Sequence, residues 1–224
     1  MPPPPMLLHA IIVAAGSSRR MGFDKLSAEL DGTPVLTATI QAFLDCPAVN
    51  ALVIVADAER FAALMPAHPN KPVVRVDGGA ERFLSVAAGI AAVPENVHFI
   101  AVHDGARPLV TPDLIERCLE AARNHDAAAA ARRVTETVKR CDAEGFSREA
   151  VSRENLWLME TPQVFRASLL RRAYREAHDC GAKPTDEVSA VDLLDVASIL
   201  VDSGAPNPKI TFPADLAWAA KLRS

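Results

Sequence analysis

The stretch that most limits the possible folds of this chain is residues 7–25, LLHAIIVAAGSSRRMGFDK. It opens on an apolar run, residues 7–13, that is short and β-branched at Ile11, Ile12 and Val13. Such a run suits a strand buried on both faces of a parallel sheet. The character then changes at once, to Ala14-Ala15-Gly16-Ser17-Ser18-Arg19-Arg20-Met21-Gly22. Small residues let the backbone approach a ligand closely. Backbone N–H groups and hydroxyls there can cradle an anion, and Arg19, Arg20 and Lys25 add positive charge. A strand running into a Gly-rich basic loop is where an open α/β sheet binds a nucleotide. The alternative is a plain glycine turn with solvated arginines.

The loop is not a Walker loop: Gly16 and Gly22 stand one residue too far apart, and no Lys-Ser/Thr follows Gly22. It is not the dinucleotide G-x-G-x-x-G either. Its pattern, A-A-G-x-x-x-R-M-G-x-x-K, resembles the loop with which nucleotidyltransferases bind an NTP and activate its α-phosphate.

The rest of the chain alternates strands and helices. Thr33-Pro34 reads as an N-cap and a first-turn proline, opening a helix to about Asp45. Strands are expected at 51–56, 72–76, 97–102 and 197–201, with a weaker one at 127–131, where the alanine run also permits helix. A short strand at 209–213 should enter the terminal helix. Helices are expected to end near Met65, Val93, His125 and Asp179, and one opens at Thr185-Asp186-Glu187. This alternation implies a Rossmann-like α/β fold, a mostly parallel sheet with helices on both faces. The length, 224 residues, suits one such domain with a sizeable core. Residues 1–6, led by four consecutive prolines, read as a disordered tail, leaving 7–224 as a single domain.

Three further stretches carry candidate chemistry. In Asp77-Gly78-Gly79-Ala80-Glu81-Arg82-Phe83-Leu84-Ser85, a glycine pair after a strand and before a helix suggests a second close backbone approach. Ser85 falls in the helix's first turn, where it is either a ligand contact or an ordinary helix serine. The strand at 97–102 ends in His103-Asp104-Gly105-Ala106-Arg107-Pro108. A carboxylate at a strand's carboxy end can hold a divalent cation on a phosphate, and Mg²⁺ commonly uses only one or two carboxylates. The alternative is a structural Asp104–Arg107 turn pair, and His103 reads as a packed histidine. Residues 132–155 are polar, with Val134, Val138, Phe146 and Val151 spread apart, and read as a protruding β-hairpin arm. An isolated hairpin is marginal in water, so the arm should pack on something, such as a second subunit; the alternative is a solvated loop.

Composition narrows the partners. The net charge of −4 carries no electrostatic footprint for nucleic acid or an anionic membrane. No apolar run reaches the roughly 18 residues of a membrane span, and the N-terminus lacks the basic start of a signal peptide. Cys46, Cys118, Cys141 and Cys180 form no C-x-x-C pair, which fits reduced thiols in a cytoplasm.

Taken in order, AAGSSRRMGFDK, DGGAERFLSV, VHDGARP, VTETVKR, LWLMETPQVF, TDE, and KIT with PADLA closely resemble the 2-C-methyl-D-erythritol 4-phosphate cytidylyltransferase family. The resemblance covers nearly everything from Leu7 onward. It implies transfer of CMP from CTP to methylerythritol phosphate, with release of pyrophosphate, in non-mevalonate isoprenoid precursor synthesis. It also implies a homodimer with exchanged arms. By the same resemblance, Arg20, Lys25 and Lys209 are the catalytic cations and Asp104 carries Mg²⁺. Ala14, Ala15, Gly16, Gly79, Ala80 and Ser85 contact the nucleotide, and Arg107, Thr137, Arg153 and Thr161 hold the acceptor. The chain departs from the family pattern at Ala80 and Glu136, each where Asp is usual, at Ala214, where Glu is usual, and at Pro206 and Pro208, which stiffen the approach to Lys209. Ribitol-5-phosphate cytidylyltransferases, other sugar-phosphate nucleotidyltransferases and a non-catalytic nucleotide-binding module are the competing readings.

Overall fold

The structure is a computed structural model and describes residues 6–16 and 23–223. The proline run and Arg20 lie outside the described residues. The chain runs through β1 (Leu8–Val13), β2 (Glu29–Leu30), β3 (Thr33–Pro34), α1 (Val35–Asp45), β4 (Val49–Val55), α2 (Ala58–Leu64), β5 (Val73–Val76) and α3 (Arg82–Ala92). It continues through β6 (Phe99–Asp104), α4 (Pro112–His125), β7 (Ala127–Arg133), β8 (Val138–Cys141), β9 (Ser147–Val151) and β10 (Trp157–Arg166). It ends with α5 (Ala167–Asp179), α6 (Glu187–Asp192), β11 (Ile199–Asp202) and α7 (Pro213–Arg223).

Seven strands form the main sheet in the order β11-β7-β10-β6-β1-β4-β5. All neighbours are parallel except β10, which runs antiparallel to both β6 and β7. The chain winds outward from β1 through β4 to β5, then crosses back to lay β6 on the other side of β1. The sheet's switch point therefore lies between β1 and β6, and their last residues, Val13 and Asp104, are register partners. Ligands of open α/β sheets bind in the crevice at the carboxy ends of such strands.

Burial explains why these segments became strands. Ile11 and Ile12 have no exposed surface, and they point to opposite faces. Leu8, Ala10 and Ile12 join one core with Leu36, Ile40 and Phe43 of α1, Ile115 of α4 and Ala219 of α7. Ile11 joins the other core, with Phe83 and Val86 of α3, Leu170 and Tyr174 of α5 and Val191 of α6. Each fully buried Leu, Ile or Phe contributes about 1.5–3 kcal/mol, so both helix layers are held by transfer free energy rather than by propensity. The alanines of β7, all fully buried, are strand because the sheet places them between β10 and β11. That context overrides their helix propensity.

Two local expectations are corrected. Thr33 does not cap α1; Thr33–Pro34 instead pair with Glu29–Leu30 as a two-strand ribbon. The first helical N–H groups are satisfied by backbone, Val35 N donating to Ala28 O at 2.9 Å and Leu36 N to Leu26 O at 3.1 Å, so no side-chain cap is needed. Residues 209–211 are not a strand. Ile210 N donates to Ala106 O at 2.8 Å, while Thr211 N and Phe212 N both donate to Asp215 Oδ2 at 2.8 Å, which turns the chain directly into α7. The Thr111 cap of α4 stands as read, its hydroxyl accepting from Leu114 N at 3.3 Å.

Candidate active site

Three loops meet at the switch point. The first leaves β1 through Ala14, Ala15 and Gly16. Ala14 N donates to Val55 O at 2.8 Å, and Gly105 N donates to Val13 O at 2.9 Å. Arg60 braces this loop at both described ends, donating to Ala14 O at 2.8 Å and approaching Asp24 Oδ2 at 3.4 Å. The second loop follows β5. A Cβ on Gly78 would lie 2.2 Å from the Ala15 Cβ, so the two loops touch and only glycine fits there. Ser85 is buried, and its hydroxyl accepts from Gly79 N at 3.1 Å and donates to Glu81 O at 3.1 Å. Ser85 therefore shapes the glycine loop, while the backbone of Gly79 and Ala80 stays exposed.

The third loop begins at Asp104, whose carboxylate is almost fully buried among three cations. Arg82 Nε lies 3.2 Å from Oδ1, Lys209 Nζ 2.9 Å from Oδ2, and Arg107 Nε 3.5 Å from Oδ2. The last is an ion pair out of hydrogen-bond alignment. Burial favours the neutral acid, but the charges of Arg82, Lys209 and Arg107 outweigh it and hold the carboxyl well below the usual range. The Asp104–Arg107 turn pair therefore exists, inside a larger cluster.

Behind Asp104 lies a relay of neutral bonds. Asp104 N donates to Thr161 Oγ1 at 3.1 Å, and Thr161 Oγ1 stands 3.0 Å from His103 Nδ1. His103 Nε2 faces Arg107 O at 3.2 Å, so Nε2 carries the proton and Nδ1 accepts from Thr161. Burial, only partly offset by the Asp104 charge, pulls the His103 pKa down to about 3, so this imidazole is neutral. Its ring packs against Phe43, as expected of a core histidine.

The far end of the chain closes the site. Asn207, buried, donates from Nδ2 to Thr161 O at 2.8 Å, and its backbone carbonyl accepts from Arg107 Nη1 at 2.8 Å. Two residues on, Lys209 meets Asp104, and Ile210 O accepts from Lys25 Nζ at 2.9 Å. Beside this cluster is a cavity of about 680 Å³ lined by Arg107, Glu136, Met159, Asn207, Lys209 and Trp218, among others. Its size suits a small-molecule ligand.

Of the residues singled out in the sequence, Lys25, Asp104, Arg107, Thr161 and Lys209 thus converge, with Ala14, Ala15, Gly16, Gly79 and Ala80 on the adjoining loops and Ser85 in the first turn of α3. Arg20 lies outside the described residues. Thr137 and Arg153 do not join this cluster; both are exposed on the arm formed by β8 and β9, where Arg153 Nη1 donates to Thr135 O. Sequence reasoning missed Arg60, Arg82, Glu187 and Asn207. For Arg82 a signal existed: a cation in a helix's first turn opposes the macrodipole, which marks a distant partner.

A switch-point crevice bounded by glycine-rich loops and converging lysines is the kind of site a nucleotidyltransferase uses. The profile of the 2-C-methyl-D-erythritol 4-phosphate cytidylyltransferase family matches residues 8–223, and the chain belongs to that family. It is 39% identical to the enzyme of that name from Synechococcus sp. (strain CC9902), over 94% of this chain and 95% of the relative. It is 42% identical to the one from Symbiobacterium thermophilum, over 93% and 89% of the two chains. Among solved structures, the 2-C-methyl-D-erythritol 4-phosphate cytidylyltransferase of Thermus thermophilus superposes with a TM-score of 0.81 at 31% identity, covering 98% of this chain and 100% of that one. The 4-diphosphocytidyl-2C-methyl-D-erythritol synthase of Anaerococcus prevotii gives 0.85 at 25% identity, covering 98% and 97%.

Proposed function

We propose that the crevice between β1 and β6 binds CTP, and that the chain transfers its CMP moiety to 2-C-methyl-D-erythritol 4-phosphate, releasing pyrophosphate. The observation that carries this reading is the convergence of Lys25, Asp104, Arg107 and Lys209, from three distant stretches, at the sheet's switch point. The acceptor's phosphate monoester is already an oxygen nucleophile. One of its oxygens bonds to the α-phosphorus as the bond to the bridging oxygen of pyrophosphate breaks, so no general base is required. The barrier is charge repulsion between two anions, and such reactions are catalysed mainly by positioning and electrostatics.

Each residue then has a task. Ala14, Ala15, Gly16, Gly79 and Ala80 offer backbone to the nucleotide, in a loop pair whose shape Ser85 and Gly78 maintain. Lys25 and Lys209 donate to phosphate oxygens, Lys209 with a second N–H while Asp104 keeps the first, and Arg20 adds its charge. Arg107 holds the acceptor beside the cavity; Thr161, expected to share that task, is buried with its hydroxyl between Asp104 N and His103 Nδ1 and serves instead to fix Asp104. Mg²⁺ would neutralise the triphosphate when bound. A single buried carboxylate at the carboxy end of β6, Asp104, fits an ion that takes most of its ligands from phosphate and water. Asp104 would be the protein carboxylate beside such an ion.

The arm supports a homodimer. Phe146 at its turn is 67% exposed and the faces of β8 and β9 are largely solvated, so a partner surface would bury what this chain leaves open. Exchanged arms would carry Thr137 and Arg153 to the partner's acceptor site. Four free cysteines, two of them exposed, suit a reducing compartment such as the cytoplasm. The test is a panel of polyol phosphates with CTP and Mg²⁺, read by pyrophosphate release. Methylerythritol phosphate should turn over fastest. Faster turnover of ribitol phosphate would refute the acceptor, and CTP binding without pyrophosphate release would reduce the chain to a binding module.

A further inference from the structure

Arg82 is the first residue of α3, yet its guanidinium makes three directed contacts across the domain. Nη1 and Nη2 donate to the two oxygens of Glu187 at 2.8 and 3.0 Å, and Nε donates to Asp104 Oδ1 at 3.2 Å. Because the guanidinium is planar, the two bonds to Glu187 leave Nε only one direction, toward Asp104. Glu187 is itself immobilised. It has no exposed surface, Oε1 accepts from Tyr174 Oη at 3.0 Å, and its backbone N donates to Gln163 Oε1 at 3.1 Å. Gln163 in turn donates to Asp186 Oδ2 at 2.9 Å, locking the start of α6 to β10.

We propose that Arg82, oriented by Glu187, is a positioning residue for cytidylyl transfer: it fixes the plane of the Asp104 carboxylate and thereby places Lys209. With Oδ1 held by Arg82, Oδ2 is left to Arg107 and Lys209, and Lys209 Nζ rests on it at 2.9 Å. Arg82, Arg107 and Lys209 thus gather on one carboxylate, and Arg82 alone of the three is also paired with Glu187 among the described residues. The pair thus acts at a distance from substrate, through Asp104. The inference rests on Lys209 being the cation that meets the α-phosphate.

The test is a double-mutant cycle on the full-length protein, with CTP, methylerythritol phosphate and Mg²⁺, read by pyrophosphate release per folded molecule. Arg82→Lys keeps the charge and discards the fork. It should lower kcat about tenfold or more while KM for CTP stays within about threefold, the signature of lost transition-state placement. Lys209→Ala should lower kcat by roughly 10²–10³. The double variant should lose clearly less than the product of the two single losses, because the part of the Arg82 effect that runs through Lys209 is already gone. If Arg82→Lys does not fold, Glu187→Gln replaces it in the same cycle, with the same losses expected. Losses that multiply, or an unchanged kcat in the Arg82→Lys or Glu187→Gln single variant, overturn the role of the pair. Wild-type kcat in Lys209→Ala instead overturns the catalytic reading of Lys209, and this inference with it.

Discussion

Replacing Asp104 by Asn should cost the protein stability as well as activity. The side chain is 10% exposed and stands between Lys209 at 2.9 Å, Arg82 at 3.2 Å and Arg107 at 3.5 Å. An amide is nearly isosteric, so packing barely changes and the perturbation is almost purely electrostatic. Arg82 keeps Glu187, but Arg107 and Lys209 lose their anion. Breaking a buried pair by deleting one partner costs about 3–5 kcal/mol. Lys209 is 37% exposed and can turn to water, so the loss should fall near the lower end, about 3 kcal/mol. The pH dependence follows from the sign of the shift. A folded pKa depressed below the unfolded value, about 3.9, contributes stability that is fully present above that value. It is lost as pH falls toward the folded pKa. The gap between wild type and Asp104→Asn should therefore be flat across neutral pH and narrow below about pH 4. Urea denaturation followed by tryptophan fluorescence measures it. A variant within about 0.5 kcal/mol of wild type at neutral pH, the range of a surface substitution, would refute the electrostatic argument. An Mg²⁺ titration on the folded variant addresses the metal separately: an unchanged profile would remove Asp104 as a ligand and leave its role in the cluster intact.

His103 makes a second pH-dependent contribution. Its folded pKa of about 3 lies below the unfolded value near 6.5, so the unfolded chain takes up a proton that the folded one refuses. Stability should fall by about 3 kcal/mol between about pH 7.5 and pH 4.5 from this group, and His103→Asn should remove that part of the slope; an equal slope in both proteins would contradict it. The exchanged arm is tested by mixing Lys25→Ala with Arg153→Ala subunits. With random exchange about half the dimers are mixed and about a quarter of all sites carry neither lesion, so about a quarter of wild-type activity should return. If differently tagged chains prove exchange while activity stays at the level of the separate variants, Arg153 does not act across the dimer.

Local chemistry alone determined a good part of this molecule. The apolar run of β1 followed by a small-residue loop marked the strand that ends at the sheet's switch point, and Thr111-Pro112 marked the start of α4. The polar texture of residues 132–155 marked the arm, because a segment that cannot bury apolar surface must leave the core. These features were legible because each rests on neighbours within a few residues. Thr33 was misread for the complementary reason: its helix is capped by the backbone of residues 26–28, a contact that no local pattern encodes. The antiparallel course of β10 was likewise decided by pairing with two distant strands. At the site, the sequence supplied the charged residues but not their pairing. Arg82 and Glu187 lie 105 residues apart, and Lys25 meets Ile210 across 185. Only the fold brings them together, because a buried charge is tolerable only beside a partner, and which partner it finds depends on how the strands cross.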